Sequence, residues 1–487
     1  MNSLVFLIVI PLIGAFLNLF NKKVKLISFL ITLTNLIISL YLIISFSGPK
    51  IAIIGGYSPP YGINFSLTNL SALYLVLINL AAIISISLVN KEKENKFYSI
   101  YLVLLAASNG IVLTGDLFNL FIFLELSSFA TAAIIAYKKD KLASGTAIKY
   151  LILASVSSSF LLIGIGLIYK TLGTLNIADI GSNIYLLSNM TLSFITILII
   201  AGLFMEFELF PFNIWVPKAY MATNASENIM LFGLVGSSAS YVMIRIIFTM
   251  LSPSGNGALV NENIIKIISI FALITILVSE ISAYSENKLK KILAFSSMAQ
   301  MGMIFYGLII NDMNSIKGAL YLVIANFLAK IVLLILSGEF EKITGSNTYK
   351  GYKGLGRKYK SLGIAFVLAS LSLMGIPFTL GFVGKINILE ALFKLRGSYL
   401  IGAAIILIAS IIEGIYYLKI SHYLFLENKE LENKDTSPRI LVFVISIIFV
   451  LVIVLLGVYP KLIDNYLNNI SLEILDSIKY YVKIVLP

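Results

Sequence analysis

The sequence predicts an all-α integral membrane protein with about fourteen transmembrane helices. Of its 487 residues, 59% are hydrophobic and only 12% are charged, and the mean hydropathy is +0.97. Apolar stretches of about 18 residues or more, long enough to cross a bilayer as a helix, recur along the whole chain. These stretches are 3–20, 24–46, 67–89, 97–114, 116–137, 143–169, 191–210, 228–251, 263–284, 292–310, 315–338, 361–393, 399–425 and 440–459.

Prolines interrupt the predicted helices at comparable places in two blocks. Five helices lie in each block, about 97–251 and 263–425, and each block holds one broken helix near its end. Because five crossings is an odd number, the second block would be inverted in the bilayer relative to the first. Inverted repeats of this kind place the working site of a transporter beside the broken helices. The helix breaks are predicted at Pro211, Pro217 and Pro377.

The remaining segments are short loops and a tail. Residues 1–460 are predicted to form a single polytopic transmembrane domain, with one of its longer loops at 47–66. Residues 461–487 alternate apolar and polar groups with helical spacing, which predicts a C-terminal amphipathic helix. That helix would lie on the outer membrane face or dock on a neighbouring subunit.

The basic charge of the chain indicates its orientation in the membrane. The formal net charge is +12, but the lysines are concentrated in alternate loops, as in the cytoplasmic loops of membrane proteins. The pattern predicts a multi-pass membrane protein with both termini outside, and it argues against a nucleic-acid partner. We expect the membrane to be a prokaryotic inner (plasma) membrane. The predicted cytoplasmic loops contain Lys22, Lys23, Lys25, Lys91, Lys93, Lys96, Lys138, Lys139, Lys141, Lys288, Lys290, Lys291, the lysines of 342–360, Lys429, Lys434 and Arg439.

Cysteine and histidine usage excludes several kinds of chemistry. Cysteine is absent and His422 is the only histidine in the sequence. Without cysteine thiolates the chain cannot ligate an iron–sulfur cluster, and a single histidine rules out paired-histidine haem ligation. We therefore expect no cofactor and no redox centre in this chain. A redox or ATP-driven reaction would belong to partner subunits.

Four of the charged side chains inside predicted spans are the strongest candidates for function, since a charge there costs at least about 2.5–3.5 kcal/mol on insertion scales. Glu125 lies halfway along its helix, Glu206 precedes the first break, and Lys330 and Lys385 lie in the second block. Groups at this depth predict a proton or ion pathway, because one can change protonation when its neighbour does. The structural alternatives are packing for Glu125, capping of the broken helix for Glu206, and snorkelling for Lys330.

Other charged groups inside the predicted spans are weaker candidates. Glu208 follows Glu206 by two residues, so on a helix the two carboxylates point in different directions and at most one would face Glu125. Arg245 lies near a helix end and would snorkel toward the surface. Glu280 is a weaker candidate, and Glu413, in the middle of its helix, would continue a relay.

Six segments in a fixed order carry a resemblance to a known family. They are 114–125, 147–154, 172–179, 210–220, 290–302 and 375–385. The sequence resembles the antiporter-like membrane subunits shared by respiratory complex I, membrane-bound hydrogenases and the multiple-resistance-and-pH (Mrp) cation/proton antiporters. Two motifs, Gly-Asp-Leu-Phe-Asn at 115–119 and Gly-Thr-Leu-Asn-Ile-Ala-Asp at 173–179, are most similar to the D-type subunit of Mrp antiporters and its hydrogenase relatives.

The resemblance implies a proton path built from several helices. In that family a glutamate on helix five pairs with a lysine before the break of helix seven, and residues on helices eight, eleven and twelve continue the path. Glu125, Lys330 and Lys385 match these positions, whereas Glu206 stands at the place of the helix-seven lysine and Ser237 near that of the helix-eight lysine. Secondary candidates for the path are Glu208, Ser237, Glu413 and Lys149.

Two carboxylates in place of a carboxylate–lysine pair leave three interpretations open. In the first, Glu125 and Glu206 share one proton, because the negative charge of one carboxylate raises the proton affinity of the other. Alternatively, they would hold Na⁺, since oxygen-rich sites suit hard cations. In the third interpretation the first half no longer conducts, and the chain is a partly silenced scaffold.

The predicted function is that of an ion-translocating membrane subunit. It would belong to a multisubunit Na⁺/proton antiporter of Mrp type, or to a related membrane-bound hydrogenase or NADH-dehydrogenase-like complex. The expected partners are other membrane subunits, the lipid bilayer, and H⁺ with or without Na⁺. The alternatives are a structural subunit that bridges active antiporter-like subunits and a stand-alone carrier of organic solutes.

Overall fold

The computed structural model describes residues 2–89, 93–251, 262–428 and 437–486 of the chain. Three of the predicted loop lysines, Lys91, Lys429 and Lys434, lie outside these described residues. Contacts divide the chain into two units. Unit 1 consists of Met1–Glu208, Ser226–Ile268 and Asn469–Pro487, and unit 2 of Leu209–Ala225 and Ser269–Asn468.

Unit 1 begins with eight helices and one hairpin. The helices are α1 (Asn2–Asn18), α2 (Val24–Ile44), α3 (Asn69–Leu88), α4 (Asn95–Leu113), α5 (Leu117–Ala136), α6 (Lys141–Leu172), α7 (Ile177–Asn183) and α8 (Asn189–Phe204). Strands β1 (Lys50–Ile53) and β2 (Asn64–Leu67) pair in antiparallel register within the predicted loop 47–66. The sequence does not reveal this hairpin because each strand has only four residues.

Polar residues fix where the central helices of unit 1 begin. The Asp116 carboxylate accepts a hydrogen bond from the Asn119 amide (2.7 Å) and caps α5. Thr68 caps α3 in a reciprocal capping box. A side-chain oxygen in this position satisfies an amide of the first helical turn that has no partner within the helix. The cap at Asp116 fixes the start of the helix that carries Glu125.

The chain turns between α8 and α9 (Val216–Ala222), at the predicted first break. Residues 205–215 form this turn, which contains both Glu206 and Glu208. Pro211 lies in the turn, whereas Pro217 lies in the first turn of α9. Proline is tolerated there because the first amides of a helix have no intrahelical acceptor.

The span Ala225–Leu251 is an irregular helix. α10 (Ala225–Met230) and α11 (Ser237–Arg245) are each followed by a π-helical stretch, Leu231–Gly236 and Ile246–Leu251 respectively. π-helical turns are rare in proteins, and those that occur are often found at functional sites.

Unit 2 holds most of the remaining helices. They are α12 (Glu262–Ser285, entering unit 2 at Ser269), α13 (Leu289–Ile309), α14 (Met313–Thr344), α15 (Leu355–Lys358), α16 (Lys360–Met374), α17 (Leu380–Leu395), α18 (Tyr399–Phe425) and α19 (Ile440–Val458). α14 is the centre of the unit, because it is buried along almost its whole length and packs against α13, α16, α17 and α19.

The C-terminal segment returns to unit 1. α20 (Lys461–Leu475) begins in unit 2 and ends in unit 1. A π-helical stretch, Ile478–Val482, and the short helix α21 (Lys483–Val485) follow. Leu467, Ile470 and Ile474 on α20 are buried within the chain itself.

The length and apolar composition of the helices are those expected of an integral membrane protein. Within the described residues, eleven helices are long and apolar enough to cross a membrane, and shorter apolar helices lie at Ser3–Asn18, Asn189–Phe204 and Lys360–Met374. The predicted span 361–393 is two helices, α16 and α17, separated at Pro377. The number of crossings and the inverted repeats about 97–251 and 263–425 stay predictions.

Candidate functional site

Lys330 lies at the centre of unit 2. It is on α14, and its side chain is fully buried because helices surround α14. The ammonium donates hydrogen bonds to Ser296 Oγ (2.8 Å) and to the Leu293 carbonyl (3.2 Å), both on α13. A buried lysine with two acceptors in fixed positions is not snorkelling, so the structural alternative for Lys330 does not apply.

Glu413 connects Ser296 to the other lysine of unit 2. Its carboxylate on α18 accepts hydrogen bonds from Ser296 Oγ (3.2 Å) and from the Gln300 amide (3.0 Å to each oxygen). Lys385 on α17 donates to the same carboxylate (3.1 Å) and to Ser410 Oγ (2.9 Å). A continuous chain of hydrogen bonds therefore links Lys330, Ser296, Glu413 and Lys385, and we call it the lysine–glutamate relay.

The second helix break shapes one end of the relay. Gly375 ends α16 with φ +79°, a left-handed conformation that favours glycine. A Cβ atom on Gly375 would lie 2.7 Å from Lys385 Cδ, so the lysine stem passes directly over the break. Gln300 also donates to the Leu373 carbonyl (3.2 Å), in the last turn of the interrupted helix. The break thus positions both Lys385 and a ligand of Glu413.

Glu280 adds a second carboxylate to this charge cluster. It lies on α12, is fully buried, and is close enough to Glu413, Lys385 and Lys330 for electrostatic interaction. Two lysines and two glutamates give the cluster no net charge when all four are ionised. Sequence reasoning ranked Glu280 and Glu413 below the lysines because a single carboxylate in an apolar helix gives no sign of its partners.

Unit 1 contains a different cluster around Glu125 and Glu206. Ser128 on α5 donates a hydrogen bond to Glu206 (3.1 Å), and Glu125 is within electrostatic range of Glu206. Tyr150 on α6 is fully buried and lies close to both carboxylates. Glu206 is buried, whereas Glu125 is half-buried. The two carboxylates are therefore brought together, as the sequence predicts for one of the glutamates before the break.

The secondary candidates are scattered around these clusters. Glu208 is buried in the turn with φ +58°, and Ser237 begins α11 directly after a π-helical stretch. Lys149 is exposed on α6, and no ion pair or hydrogen bond places it in either cluster within the described residues.

Arg245 is buried, and the expectation that it snorkels to the surface is wrong. Its guanidinium forms an ion pair with Glu473 on α20 (3.0 Å) and donates to Thr68 Oγ1 (2.9 Å). The ring of Tyr481 stacks against it at 4.2 Å. Sequence reasoning missed this pair because its acid lies 228 residues further along the chain.

Comparisons with known proteins agree on one family. The family model described as "NADH:quinone oxidoreductase/Mrp antiporter, TM" matches residues 114–413. The chain is 28% identical to the D subunit of the Na⁺/H⁺ antiporter of Alkalihalophilus pseudofirmus strain OF4, over 99% of both chains.

Solved structures give the same result for the fold. A chain of the membrane-bound sulfane sulfur reductase, an archaeal respiratory membrane complex, superimposes with a TM-score of 0.92 at 27% identity, covering 100% of both chains. A chain of the Mrp complex from Dietzia sp. DQ12-45-1b superimposes with a TM-score of 0.89 at 20% identity, covering 100% of this chain and 99% of that one. At 20% identity the second likeness concerns the fold alone.

Proposed function

Because this chain belongs to the NADH:quinone oxidoreductase/Mrp antiporter family of transmembrane proteins, we propose that it is an ion-translocating membrane subunit. It would work in a multisubunit Na⁺/H⁺ antiporter of Mrp type, or in a related membrane-bound respiratory complex. Its partners would be other membrane subunits. Protons move through buried lysines and glutamates, and Glu125 with Glu206 forms a proton or Na⁺ site.

The observation that carries this proposal is the lysine–glutamate relay of unit 2. Lys330 and Lys385 are both buried and are joined by three hydrogen bonds through Ser296 and Glu413. Buried titratable groups in a membrane protein mark ion pathways far more often than they serve packing, since each must offset its own desolvation. Here four such side chains, Lys330, Lys385, Glu413 and Glu280, lie in one cluster.

The relay can transfer a proton without separating charge over a long distance. Lys330 gives a proton to Ser296 Oγ while the Ser296 hydroxyl proton passes to Glu413, so the serine is unchanged at the end of the step. When Lys385 is neutral, Glu413 then passes the proton to its amine. Each transfer needs only a hydrogen-bonded neighbour, because hydrogen-bond contact is the geometric requirement for proton transfer.

The test of this function is Na⁺/H⁺ exchange in vesicles that contain the whole complex. Lys385→Ala should abolish exchange, because it removes the end of the relay and leaves Glu413 without its cation. Lys394→Ala is the matched control, since Lys394 is exposed on the same helix. Unchanged exchange in Lys385→Ala would contradict the assignment of the relay.

A structural subunit that bridges active neighbours is the second candidate. It is favoured by Glu206 and Ser237, which stand at or near the places where lysines are expected. In the same vesicles, Glu125→Gln with full exchange, together with full exchange in Lys385→Ala, would support this scaffold function and overturn the proposed one.

We also propose that this multi-pass protein lies in the plasma membrane of a prokaryotic cell with both termini outside. The charge pattern supports this orientation. Lys93 is paired with Glu227 and Lys290 with Glu341, each 2.7 Å apart, at helix ends that the charge rule assigns to the cytoplasm.

A further inference from the structure

Unit 1 contains an apolar groove that opens on its surface. α1 and α5 each pack against α4, and residues of all three helices line the groove. Its volume is about 440 Å³, and its deepest residues are small and buried: Ala15 on α1, Ser99 on α4 and Ala130 on α5. The Ser99 hydroxyl donates a hydrogen bond to the Asn95 carbonyl of its own helix (3.3 Å). The groove therefore suits an apolar ligand.

The dimensions of the groove indicate which apolar ligand fits it. Along α1 the lining residues run from Leu12 to Leu19, which is about 10 Å at the rise of an α-helix. A volume of about 440 Å³ over that length gives a mean cross-section of about 40 Å². An α-helix with its side chains, about 10–12 Å in diameter, has at least about twice that section. A helix of a neighbouring subunit is therefore too wide to enter, whereas a single hydrocarbon chain is not.

Exposed lysines lie beside one end of the groove. On α1, Leu19 lines the groove, and exposed Lys22 and Lys23 follow it. On α4, exposed Lys96 precedes the lining residue Ser99 by three positions, so the two lie on the same side of the helix. No ion pair joins any of these three lysines to a carboxylate within the described part of the chain. Their charge is available to a ligand.

The helix ends that carry these lysines are held together. The Asn95 side-chain amide donates to the Asn21 carbonyl (2.8 Å), which ties the start of α4 to the segment after α1. The rings of Phe97 on α4 and Tyr137 at the end of α5 pack edge to face, 4.9 Å between centroids. The positive charge is thus concentrated where the three helix ends meet. Basic pockets of this kind between membrane helices bind anionic lipid headgroups.

We infer that this groove binds one acyl chain of an anionic phospholipid, with the headgroup phosphate against Lys22 and Lys96. The hydrocarbon gains little by moving from the bilayer to the groove, because lipid tails are as apolar as the lining side chains. The lysines therefore supply most of the affinity, through charge-assisted hydrogen bonds to phosphate. The exposed rings of Phe16 and Phe129 on the two rims hold the chain in place. The inference does not depend on the proposed function, since none of these residues belongs to the lysine–glutamate relay.

The test uses a phosphatidylglycerol that carries a photoreactive diazirine in the middle of one acyl chain. It is added to the delipidated whole complex, and after illumination mass spectrometry should find adducts in the peptides that contain Phe16 or Phe129. Lys22→Gln and Lys96→Gln should each raise the half-saturating lipid concentration about fivefold, the effect expected of one lysine near an anionic headgroup. Lys170→Gln, exposed in the last turn of α6, is the matched control and should leave it unchanged.

A second pair of variants tests the groove itself. Ala133 is half-buried and lines the groove on α5, so the ring in Ala133→Phe should occupy the place of the acyl chain and abolish the adducts. Ala404→Phe adds the same bulk at an exposed position of α18 and should leave the adducts unchanged. Unlabelled phosphatidylglycerol should compete with the probe, whereas zwitterionic phosphatidylcholine should compete poorly.

Two results would overturn the inference. The first is equal labelling in the unmodified complex, Lys22→Gln and Lys96→Gln, with equal competition by the two lipids, because the headgroup would then have no role. The second is an absence of adducts together with a disulfide cross-link between Phe16→Cys and a cysteine introduced in a neighbouring subunit, which would show that protein covers the groove. Each variant is first checked for assembly by size-exclusion chromatography. If Ala133→Phe fails to assemble, the lysine variants decide the question, because both lysines are exposed.

Discussion

Ser296 is the residue on which the relay of unit 2 depends, although it carries no charge. Its hydroxyl accepts from Lys330 and from Tyr417 (3.0 Å) and donates to Glu413. The Ser296 hydroxyl thus bridges Lys330 and Glu413 directly. We expect protons to pass between the two charged residues through this oxygen.

Ser296→Ala should lower proton-coupled exchange by about a hundredfold, at the lower end of what a positioned proton-transfer group contributes. Ser297→Ala is the matched control. Ser297 is the next residue and is equally buried, and its hydroxyl makes no hydrogen bond within the described part of the chain. Ser296→Thr should restore most of the activity because it restores the hydroxyl. Equal activity of the two alanine variants in the vesicle assay would show that protons bypass Ser296.

The sequence predicts the charged members of the clusters and misses the uncharged ones for a physical reason. Lys330 and Lys385 are conspicuous because an ammonium in an apolar helix is expensive. Ser296 and Gln300 are not, since a serine or a glutamine in a membrane helix bonds to its own backbone or to a neighbour at little cost. Only the packing of α13 against α14 and α18 gives these two residues their role.

At the scale of elements, the break between α16 and α17 decides where Lys385 lies. Gly375 is held in the left-handed region at φ +79°, and the stem of Lys385 crosses it in close contact. Proline at 377 explains why the helix stops, and the sequence reveals that much. The contact between the break and the lysine depends on the path of α17 and could not be predicted from the pattern.

Gly375→Ala should lower the melting temperature of the purified complex, because an alanine in this conformation costs about 1–2 kcal/mol. It should also lower exchange, since the new methyl group displaces the Lys385 stem. Gly397→Ala is the control for backbone strain alone. Gly397 has φ +61°, and nothing lies within 4 Å of its hypothetical Cβ. If both variants lose stability and keep equal exchange, the contact at Lys385 has no functional role.

The C-terminal segment is the element that the sequence describes least well. The alternation of residues in 461–487 predicts one amphipathic helix, whereas the structure has α20 over Lys461–Leu475 and then a π-helical stretch and a short helix. The buried face of α20 packs within the chain, where Glu473 pairs with Arg245 and also accepts from the Leu70 amide (3.3 Å). A buried ion pair needs its partner nearby in the fold, and sequence distance conceals that partner.

At the scale of the whole molecule, the distribution of charge and apolar surface defines a membrane protein with an internal polar system. Apolar side chains are exposed along α1, α2, α6 and α19, as expected for helices that face lipid or other membrane subunits. Many of the buried charged side chains belong to three groups: the relay with Glu280 beside it, the Glu125–Glu206 cluster of unit 1, and the ion pair of Arg245 with Glu473.

The orientation of the molecule gives the last prediction. The natural chain has no cysteine, so a single introduced cysteine reports its own side of the membrane. Tyr61→Cys lies in the segment between β1 and β2, where Tyr61 is 92% exposed, and Lys353→Cys lies in an exposed position of the lysine-rich segment after α14. Because lysine-rich loops remain in the cytoplasm, a membrane-impermeant maleimide applied to intact cells should label Tyr61→Cys and not Lys353→Cys. Permeabilised cells, the control, should label both cysteines, and the reverse pattern in intact cells would invert the assigned topology.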